Sequence, residues 1–410
     1  MTQFLGAFND NLFKSALVIL ITFHLAELYD VNAQIMITAV AGLFILPFFL
    51  FSSLAGQIAD KYEKSFLIRI IKFVEIVLMC LTAAAFETMH LWWLVFLLFC
   101  MGTQSTFFGP LKFSILPQLL NDEELVAGNG LVNAGTNIAI LTGTLCGGLF
   151  ILSPLGRHYI SAGVVGVAVA GYAASRFIPL AAPSSPKLRI DRNLFRSTWE
   201  MLVYPLSNKD VFRSIIGISW FWFLGSVFLA QFPSFAKDTL GGDEQVSTLF
   251  LVIFSVGVGA GATLCNKLLK GRVSGRYLSY SLIGMSVFIG MLYMFSASAP
   301  AGEGLMSVWE FLRGPRAAGI VFSMFMIALS GGLYSVPMYA MMQRMTPESH
   351  MARVIASLNI IDSLGMVLAA ALTALMIAAG MSISGIFFAM AFINLLMLPL
   401  TIKLSRINYD

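Results

Sequence analysis

Four ionisable side chains lie inside long apolar runs of this sequence, where a charge is costly. They are Asp10, Lys14, Lys112 and Asp362. An ionised side chain in the hydrocarbon core of a membrane costs at least about 2.5–3.5 kcal/mol, so such residues mark binding sites, ion pathways or buried pairs. Acids and bases placed in this way can hold a polar ligand of opposite charge, or they can neutralise one another.

The composition of the 410-residue chain indicates a membrane protein. Hydrophobic residues make up 58% of the chain and charged residues 11%, whereas soluble domains contain roughly 25% charged residues. The same composition disfavours a disordered chain, a disulfide scaffold and a nucleic-acid-binding protein. The net charge of +4 is too small to identify an anionic partner.

Apolar runs of about 20 residues, long enough to cross a bilayer, recur along the whole chain. The predicted spans are residues 3–28, 34–58, 66–88, 91–117, 126–152, 158–181, 212–237, 245–268, 277–299, 317–342, 353–379 and 382–403. With both termini in the cytoplasm, most of the 25 Lys and Arg residues, Lys72 and Arg192 among them, fall on the cytoplasmic side, as the positive-inside rule requires. The sequence therefore predicts an all-α polytopic membrane protein with 12 transmembrane helices.

The chain divides into two similar halves. The longest polar stretch between predicted spans, residues 182–209, contains Pro183, Pro186 and a run of basic residues, which is typical of a cytoplasmic linker. Pro110 in span four and Pro337 in span ten hold corresponding places in the two halves. We predict an N-terminal six-helix bundle over residues 1–181, a linker over 182–209 and a C-terminal six-helix bundle over 210–410. Such repeats are expected of a transporter that rocks around a midplane site.

Gly56, Asp60 and Lys61 lie in the loop between predicted spans two and three. The loop resembles the Gly-x-x-x-Asp-(Lys/Arg) loop of the major facilitator superfamily, which implies the major facilitator fold. The resemblance also implies a gating role for these three residues, because the family's Asp bridges to a neighbouring helix and latches one conformation. Glu63 stands where the family usually has Gly. An ordinary charged turn that satisfies helix ends is the alternative.

Asp10 and Lys112 are predicted to lie at a similar depth in the membrane. At about 1.5 Å per residue, Asp10 lies ~27 Å and Lys112 ~31 Å from the outer face. A separated acid and base at one depth suits a zwitterion, or an anion held beside a counter-charge. Two alternatives remain open: Asp10 can neutralise Lys14 four residues away, or Asp10 and Lys112 can form a static ion pair between helices.

Polar residues in two later spans are further candidates for substrate contact. Asn129, Asn133 and Asn137 are spaced four apart in span five, and Asp362 lies in span eleven. Asn is costly in lipid, so the Asn face is expected to contact other helices or water. Hydrogen bonding between helices explains the Asn residues equally well, and a protonated structural Asp explains Asp362 equally well.

Several catalytic and metal-binding patterns are absent from the sequence. There is no Gly-x-x-x-x-Gly-Lys-(Ser/Thr) loop, no His-x4-Asp pattern of glycerolipid acyltransferases and no Cys/His cluster with metal-ligand spacing. We therefore predict a protein that is not an enzyme and that uses no cofactor and no metal. Span four keeps Gln104 but lacks the Arg of the Arg-x-x-x-Gln-Gly pattern of proton-coupled transporters, which disfavours obligate proton symport.

Two motifs resemble the bacterial lysophospholipid transporter family of that superfamily. Residues 7–11 read Ala-Phe-Asn-Asp-Asn, and residues 108–117 read Phe-Gly-Pro-Leu-Lys-Phe-Ser-Ile-Leu-Pro. The resemblance implies a flippase that moves lysophosphatidylethanolamine-type lipids from the outer to the inner leaflet of the bacterial inner membrane by alternating access. It also implies re-acylation by an acyltransferase and an acyl-carrier-protein synthetase, either separate from this chain or fused after the last span.

The resemblance maps the family's span-one acid to Asp10 and its span-four base to Lys112. We expect Lys112 to bind the phosphate through a charge-assisted hydrogen bond. Asp10 is expected to bind the amine, or to orient Lys14 when the headgroup has no amine. The predicted substrate contacts are Asp10, Asn11, Lys14, Gln104, Phe108, Lys112, Asn133, Asn137 and Asp362. An exporter of drugs or small amphiphiles is the first alternative, and a non-transporting scaffold for acyltransferases is the second.

Overall fold

The computed structural model describes residues 1–31, 33–151, 153–191, 193–296 and 305–407, which are almost entirely helical. The α-helices are α1 (Thr2–Leu20), α2 (Ala26–Leu28), α3 (Ala33–Lys61), α4 (Lys64–Glu87), α5 (Leu91–Ser114), α6 (Leu116–Leu119), α7 (Asp122–Ile151), α8 (Gly156–Ser175), α9 (Leu194–Ser207), α10 (Lys209–Ser234), α11 (Glu244–Leu269), α12 (Leu278–Ser296), α13 (Val308–Arg313), α14 (Ala317–Met345), α15 (Met351–Ala378), α16 (Ile383–Leu395) and α17 (Leu398–Ser405). Single π-helical turns follow α1 at Ile21–Leu25 and α10 at Phe235–Thr239.

Nine of the described helices are long and apolar enough to cross a membrane, and α16 with α17, bent by 42°, makes a tenth if the pair is one span. Helices α1 and α4, which the sequence also predicts as spans, contain ionisable residues in their interior. The predicted all-α multi-pass membrane fold is confirmed. The total of 12 spans stays a prediction.

The chain forms two compact units. The first unit is Met1–Leu119, Gly135–Ser207 and Thr346–Ser363, and the second is Leu120–Ala134, Asn208–Met345 and Leu364–Asp410. Helices α7 and α15 therefore contribute residues to both units. The bundle boundaries at residues 181 and 210 stay a prediction.

The core of the first unit surrounds α1. Helix α1 packs against α8, α3 packs against α5, and α4 packs against α5 and α8. The ring of Phe13 lies edge-to-face on Phe86 at 5.6 Å, and both side chains are fully buried. Gly147 of α7 lies so close to α1 that an added Cβ would come within 2.6 Å of the Leu12 carbonyl oxygen. A small residue at this position permits the close helix contact.

Helix α14 is central to the second unit and packs against α10, α11 and α12. The contact with α11 again depends on small residues, because an added Cβ on Gly257 would lie 2.6 Å from the Ala328 Cβ. The stacked rings of Phe228 and Phe387, 4.3 Å apart, link α10 to α16. The second unit is thus held by close backbone approach and aromatic packing.

Part of the predicted linker is helical. Helix α9 occupies residues that the sequence predicts as a polar connection, and it packs against α3. The Ser53 and Ser197 hydroxyls, 3.0 Å apart, join the two helices. Arg192, one of the basic residues assigned to the cytoplasmic side, lies outside the described residues.

Glu63 caps the N-terminus of α4. Its carboxylate accepts hydrogen bonds from the backbone N–H groups of Ser65 at 2.9 Å, Phe66 at 2.6 Å and Ala181 at 2.8 Å. Partial burial raises the pKa of Glu63, but the hydrogen bonds from Ala181, Ser65 and Phe66 outweigh it, so the pKa lies below its ordinary 4.5. The acid that replaces the family's usual Gly therefore satisfies a helix end.

We expect Glu63→Ala to lower the stability of the protein by about 1 kcal/mol, because unpaired N–H groups remain at the start of α4. The folded-state pKa of Glu63 is lowered, so this stabilisation is present above pH 4.5 and is lost as the pH falls through the folded value. Thermal unfolding in detergent at several pH values measures the difference. Glu63→Gln, which keeps an oxygen acceptor, should lose less. A Glu63→Ala variant as stable as wild type at pH 7 would contradict the capping role.

Candidate functional site

Asp10 of α1 is half-buried and is held by a hydroxyl from another helix. Its Oδ2 accepts a 2.8 Å hydrogen bond from the Ser105 Oγ of α5. The neighbouring Asn11 donates from Nδ2 to the Ala7 carbonyl oxygen of its own helix at 2.7 Å and is buried. Ser105 was not predicted from the sequence, and it fixes the carboxylate that the motif in span one supplies.

Lys14 lies one turn after Asp10 but does not form an ion pair with it. The ion pairs within 4 Å among the described residues do not include either side chain. The Lys14 Nζ lies 5.2 Å from the ring centre of Phe44, over the ring face. The ring replaces part of the hydration of the ammonium group. The Asp10 carboxylate accepts its hydrogen bond from Ser105 instead.

A fully buried ion pair lies inside α4. The Lys72 Nζ is 2.6 Å from the Glu75 Oε2, and each side chain is at most 2% exposed. The other donors to Glu75 are amides: the Asn9 Nδ2 at 3.1 Å on Oε1 and the Gln104 Nε2 at 3.0 Å on Oε2. Gln104, a predicted substrate contact, is thus committed to a structural carboxylate.

The ammonium of Lys72 has a closely fitted environment. It lies 4.7 Å from the ring centre of Phe108, and a Cβ added to Gly6 would come 2.5 Å from its Nζ. Phe108, another predicted substrate contact, is buried against this lysine. The sequence assigns Lys72 to the cytoplasmic side of the membrane, which stays a prediction, and the structure shows its side chain buried inside the first unit. Opposite charges three residues apart in an apolar run are the signal that identifies such a pair.

Lys112 of α5 has no carboxylate at ion-pair distance among the described residues. Its Nζ lies 5.0 Å from the ring centre of Phe113, and Asp10 and Asp362 are the acids that interact with it electrostatically. A static Asp10–Lys112 pair is therefore not formed in this conformation. Lys112 is the base that a polar ligand can satisfy.

Residues of α15 approach α5 in the first unit. A Cβ added to Gly109 would lie 2.8 Å from the Asn359 Nδ2, which is buried without a hydrogen-bond partner. Asp362 follows Asn359 by three residues, and Lys112 follows Gly109 by three, so each pair shares a helix face. This contact explains why Asp362 and Lys112 interact although they are far apart in sequence.

One residue of the asparagine stripe of α7, Asn129, forms side-chain hydrogen bonds with another helix. Asn129 and Gln343 exchange two side-chain hydrogen bonds in the second unit, at 2.5 Å and 3.3 Å. Asn133 is buried there and donates to the Asn129 carbonyl oxygen at 3.1 Å. Asn137 is buried in the first unit. The three Asn residues therefore do not belong to one unit, although the sequence places them on one stripe.

Gly56, Asp60 and Lys61, which the sequence predicted in a loop, lie in the last turns of α3. Gly56 and Asp60 contact the start of α15. Asp60 is fully buried and accepts from the Ala352 N–H at 3.1 Å and from the Arg353 Nε at 2.9 Å. The position of the acid at a helix N-terminus is electrostatically favourable. A Cβ added to Gly56 would lie 2.7 Å from the Ala356 Cβ, so only glycine permits the contact. Gly56 and Asp60 therefore both contact the N-terminal part of α15.

Lys61 takes a different position from its two motif partners. Its Nζ lies 5.7 Å from the ring centre of Tyr62. The positive charge that contacts Asp60 comes from Arg353, which no sequence motif identified. Lys64, the first residue of α4, is fully buried and donates to the Ser184 Oγ at 2.6 Å, which joins the start of α4 to the predicted linker.

The ionisable residues that the sequence places inside apolar runs balance formally when the pair of Glu75 and Lys72 is added to them. The acids are Asp10, Glu75 and Asp362, and the bases are Lys14, Lys72 and Lys112. Only one acid and one base, Glu75 and Lys72, form a direct ion pair among these six. Among the described residues, no group of three or more His, Cys, Asp or Glu side chains could hold a metal ion. The arrangement suits a ligand that carries both a phosphate and an amine.

Comparison with known proteins gives both a family match and named relatives. The family model described as Major Facilitator Superfamily matches residues 1–328. Proteins of Salmonella gallinarum and Salmonella typhimurium, both named Lysophospholipid transporter LplT, are 26% identical to this chain over 358 residues, which is 85% of this chain and 79% of each relative.

Solved structures share the fold over nearly the whole length. The human organic anion transporter MFSD10 (TETRAN) superposes with a TM-score of 0.73 at 12% identity, with 98% of each chain covered. A bacterial homologue of the iron transporter ferroportin in the outward-facing state gives 0.68 at 14% identity, again with 98% of each chain covered.

Removal of either partner of the buried pair in α4 should destabilise the protein by about 3–5 kcal/mol, because an uncompensated charge remains. We expect Glu75→Gln to be worse than Lys72→Met, since Glu75 alone still has two amide donors whereas Lys72 alone has no carboxylate. Thermal unfolding in detergent measures both. Glu200→Gln, which breaks the exposed pair of Glu200 with Arg196, is the matched control and should change little. Equal stability of Glu75→Gln and Glu200→Gln would contradict the buried network.

Proposed function

This chain belongs to the major facilitator superfamily and is a membrane transporter, and we propose that it moves lysophospholipids between the leaflets of the membrane. The family match over residues 1–328 and the shared fold of solved transporters confirm the predicted major facilitator fold. The resemblance noted in spans one and four agrees with the name of the Salmonella relatives. The substrate class proposed here is taken from that name and from the chemistry of the charged residues.

The observation that carries the proposal is the isolated charge of Lys112. A lysine in a membrane-spanning helix is expensive. This one interacts electrostatically with Asp10 and Asp362, but no carboxylate of the described residues lies at ion-pair distance from it. A phosphate would supply the missing partner through a charge-assisted hydrogen bond. We assign the phosphate of the headgroup to Lys112.

Asp10 is assigned to the positive end of the headgroup. The Ser105 hydroxyl holds one oxygen of its carboxylate and leaves the other available for an ammonium donor. An ethanolamine headgroup carries such an ammonium close to its phosphate, so one zwitterion can contact both Asp10 and Lys112. When the headgroup has no amine, Lys14 is the neighbouring cation that Asp10 orients.

The proposed physiological setting follows from the same resemblance. Lipids with a single acyl chain would enter from the outer leaflet of a bacterial inner membrane and leave to the inner leaflet, with both termini of the chain in the cytoplasm. An acyltransferase and an acyl-carrier-protein synthetase would then restore the diacyl lipid. Alternating access would carry the headgroup, and the contact of Gly56 and Asp60 with α15 would hold one of the two conformations.

Uptake of labelled lysophosphatidylethanolamine by proteoliposomes that contain the protein tests the headgroup contacts. We expect Lys112→Ala and Asp10→Asn each to lower uptake about 10- to 100-fold, because one hydrogen bond to a charged group, about 1.5–3 kcal/mol, is lost. Lys187→Ala and Asp238→Asn remove exposed charges of the same types and should transport normally. Normal uptake by both site variants would exclude Asp10 and Lys112 from the mechanism. Transport of non-lipid cations driven by a proton gradient would favour the drug exporter.

Asp60→Asn and Asp60→Ala test the gating contact. The Asn variant keeps an acceptor for the Ala352 N–H but loses the charge that holds Arg353, and the Ala variant loses both. We expect a several-fold slower uptake for Asn and a larger loss for Ala, with lysolipid binding retained. Lys61→Ala, which removes a charge outside the contact, should have a smaller effect. Unchanged uptake by Asp60→Ala would contradict a latch at this position.

A further inference from the structure

Helix α9 has one face buried against the first unit. Ser197, Met201 and Pro205, spaced four residues apart, are buried. The Ser197 hydroxyl meets the Ser53 hydroxyl at 3.0 Å, and the Met201 carbonyl oxygen accepts a 3.0 Å hydrogen bond from the Ser357 hydroxyl. These contacts hold the middle of α9 against α3 and the start of α15.

The contact with Ser53 indicates the depth of this part of α9 if the end of α3 lies at the membrane surface. Helix α3 ends at Lys61, eight residues after Ser53, which is about 12 Å at 1.5 Å per residue. The polar zone on each side of the hydrocarbon core is only about 5–8 Å thick. Ser53, and Ser197 beside it, therefore lie near the level where acyl chains begin.

The opposite face of α9 carries an exposed apolar stripe. Trp199 is 68% exposed, Val203 45% and Leu206 51%, and their spacing of four and three residues aligns them on one side of the helix. Beside the stripe lies an exposed pair, with the Arg196 Nε 2.8 Å from the Glu200 Oε1. An apolar stripe with a charged edge is the pattern of a helix at the boundary of lipid and water.

We propose that α9 is an interfacial helix whose stripe of Trp199, Val203 and Leu206 lies in the acyl chains of the leaflet in which α3 ends. The occupant of the stripe is lipid, because α9 packs on α3 through Ser197 and Ser53. Helix α3 is long and apolar enough to cross a membrane, and it has exposed apolar residues of its own, with Leu46 and Phe49 each 41% exposed. Tryptophan is the residue that membrane interfaces favour. The segment that connects the two bundles thus also contacts the bilayer. This inference does not depend on which substrate the protein carries.

Fluorescence quenching of Trp199 tests the proposal in protein reconstituted into liposomes. Lipids brominated on their acyl chains quench only tryptophans in the membrane, and acrylamide in the buffer quenches tryptophans in water. A variant that keeps Trp199 and replaces the other five of the six tryptophans by Phe should emit at short wavelength and be quenched several-fold more by brominated lipid than by acrylamide. A matched variant that keeps only Trp222, which donates to the Tyr339 hydroxyl at 3.0 Å, should be less sensitive to brominated lipid.

A second measurement keeps the test valid if the variant with five Trp→Phe substitutions does not fold. In the otherwise native chain, Trp199→Phe should remove a measurable share of the quenching by brominated lipid and none of the quenching by acrylamide. Quenching of Trp199 by acrylamide but not by brominated lipid would overturn the proposal and indicate that this face is open to water. Quenching by neither reagent would also overturn it, because the stripe would then be covered by protein.

Discussion

A charge that is removed from water requires groups that replace its hydration, and this requirement organises the first unit. Glu75 illustrates the full solution: a lysine and two amides surround its carboxylate. The pair itself is weak evidence for stability, since desolvation offsets much of the attraction. Its effect is positional, because α1, α4 and α5 must all lie close enough to supply these groups. The same helices carry Asp10 and Lys112, so the satisfied charges fix the geometry of the unsatisfied ones.

Lys72 and Lys112 differ in their partners, and this difference distinguishes a structural lysine from one with a proposed function. Both are lysines in the helical interior of one unit, and both lie beside an aromatic ring. Lys72 has its acid at 2.6 Å, whereas Lys112 interacts electrostatically with Asp10 and Asp362 and has no carboxylate at ion-pair distance in the described part of the chain. Asp60, for which we propose a gating role, follows the first pattern, since a helix N-terminus and a guanidinium satisfy it. That satisfaction depends on the start of α15 staying in place, which makes the contact suitable for a latch.

The sequence alone was sufficient for the membrane fold and for the position of the motif residues in the chain. Apolar runs and short motifs depend on local spacing, and local spacing can be read directly. Partners that come from distant helices cannot be read in this way. Ser105 on Asp10 is one example, and Arg353 on Asp60 is another. Glu63 appeared to be a departure from a family pattern, but it caps α4 and binds the backbone of Ala181, which lies more than a hundred residues away.

An experimental structure of the protein in lipid nanodiscs with bound lysophosphatidylethanolamine would address the central claim, that Lys112 is left without an acid in order to receive a phosphate. The account predicts an ordered headgroup with a phosphate oxygen at hydrogen-bond distance from the Lys112 Nζ and the amine beside the Asp10 carboxylate. A headgroup ordered elsewhere, with Lys112 in direct contact with Asp362, would contradict it.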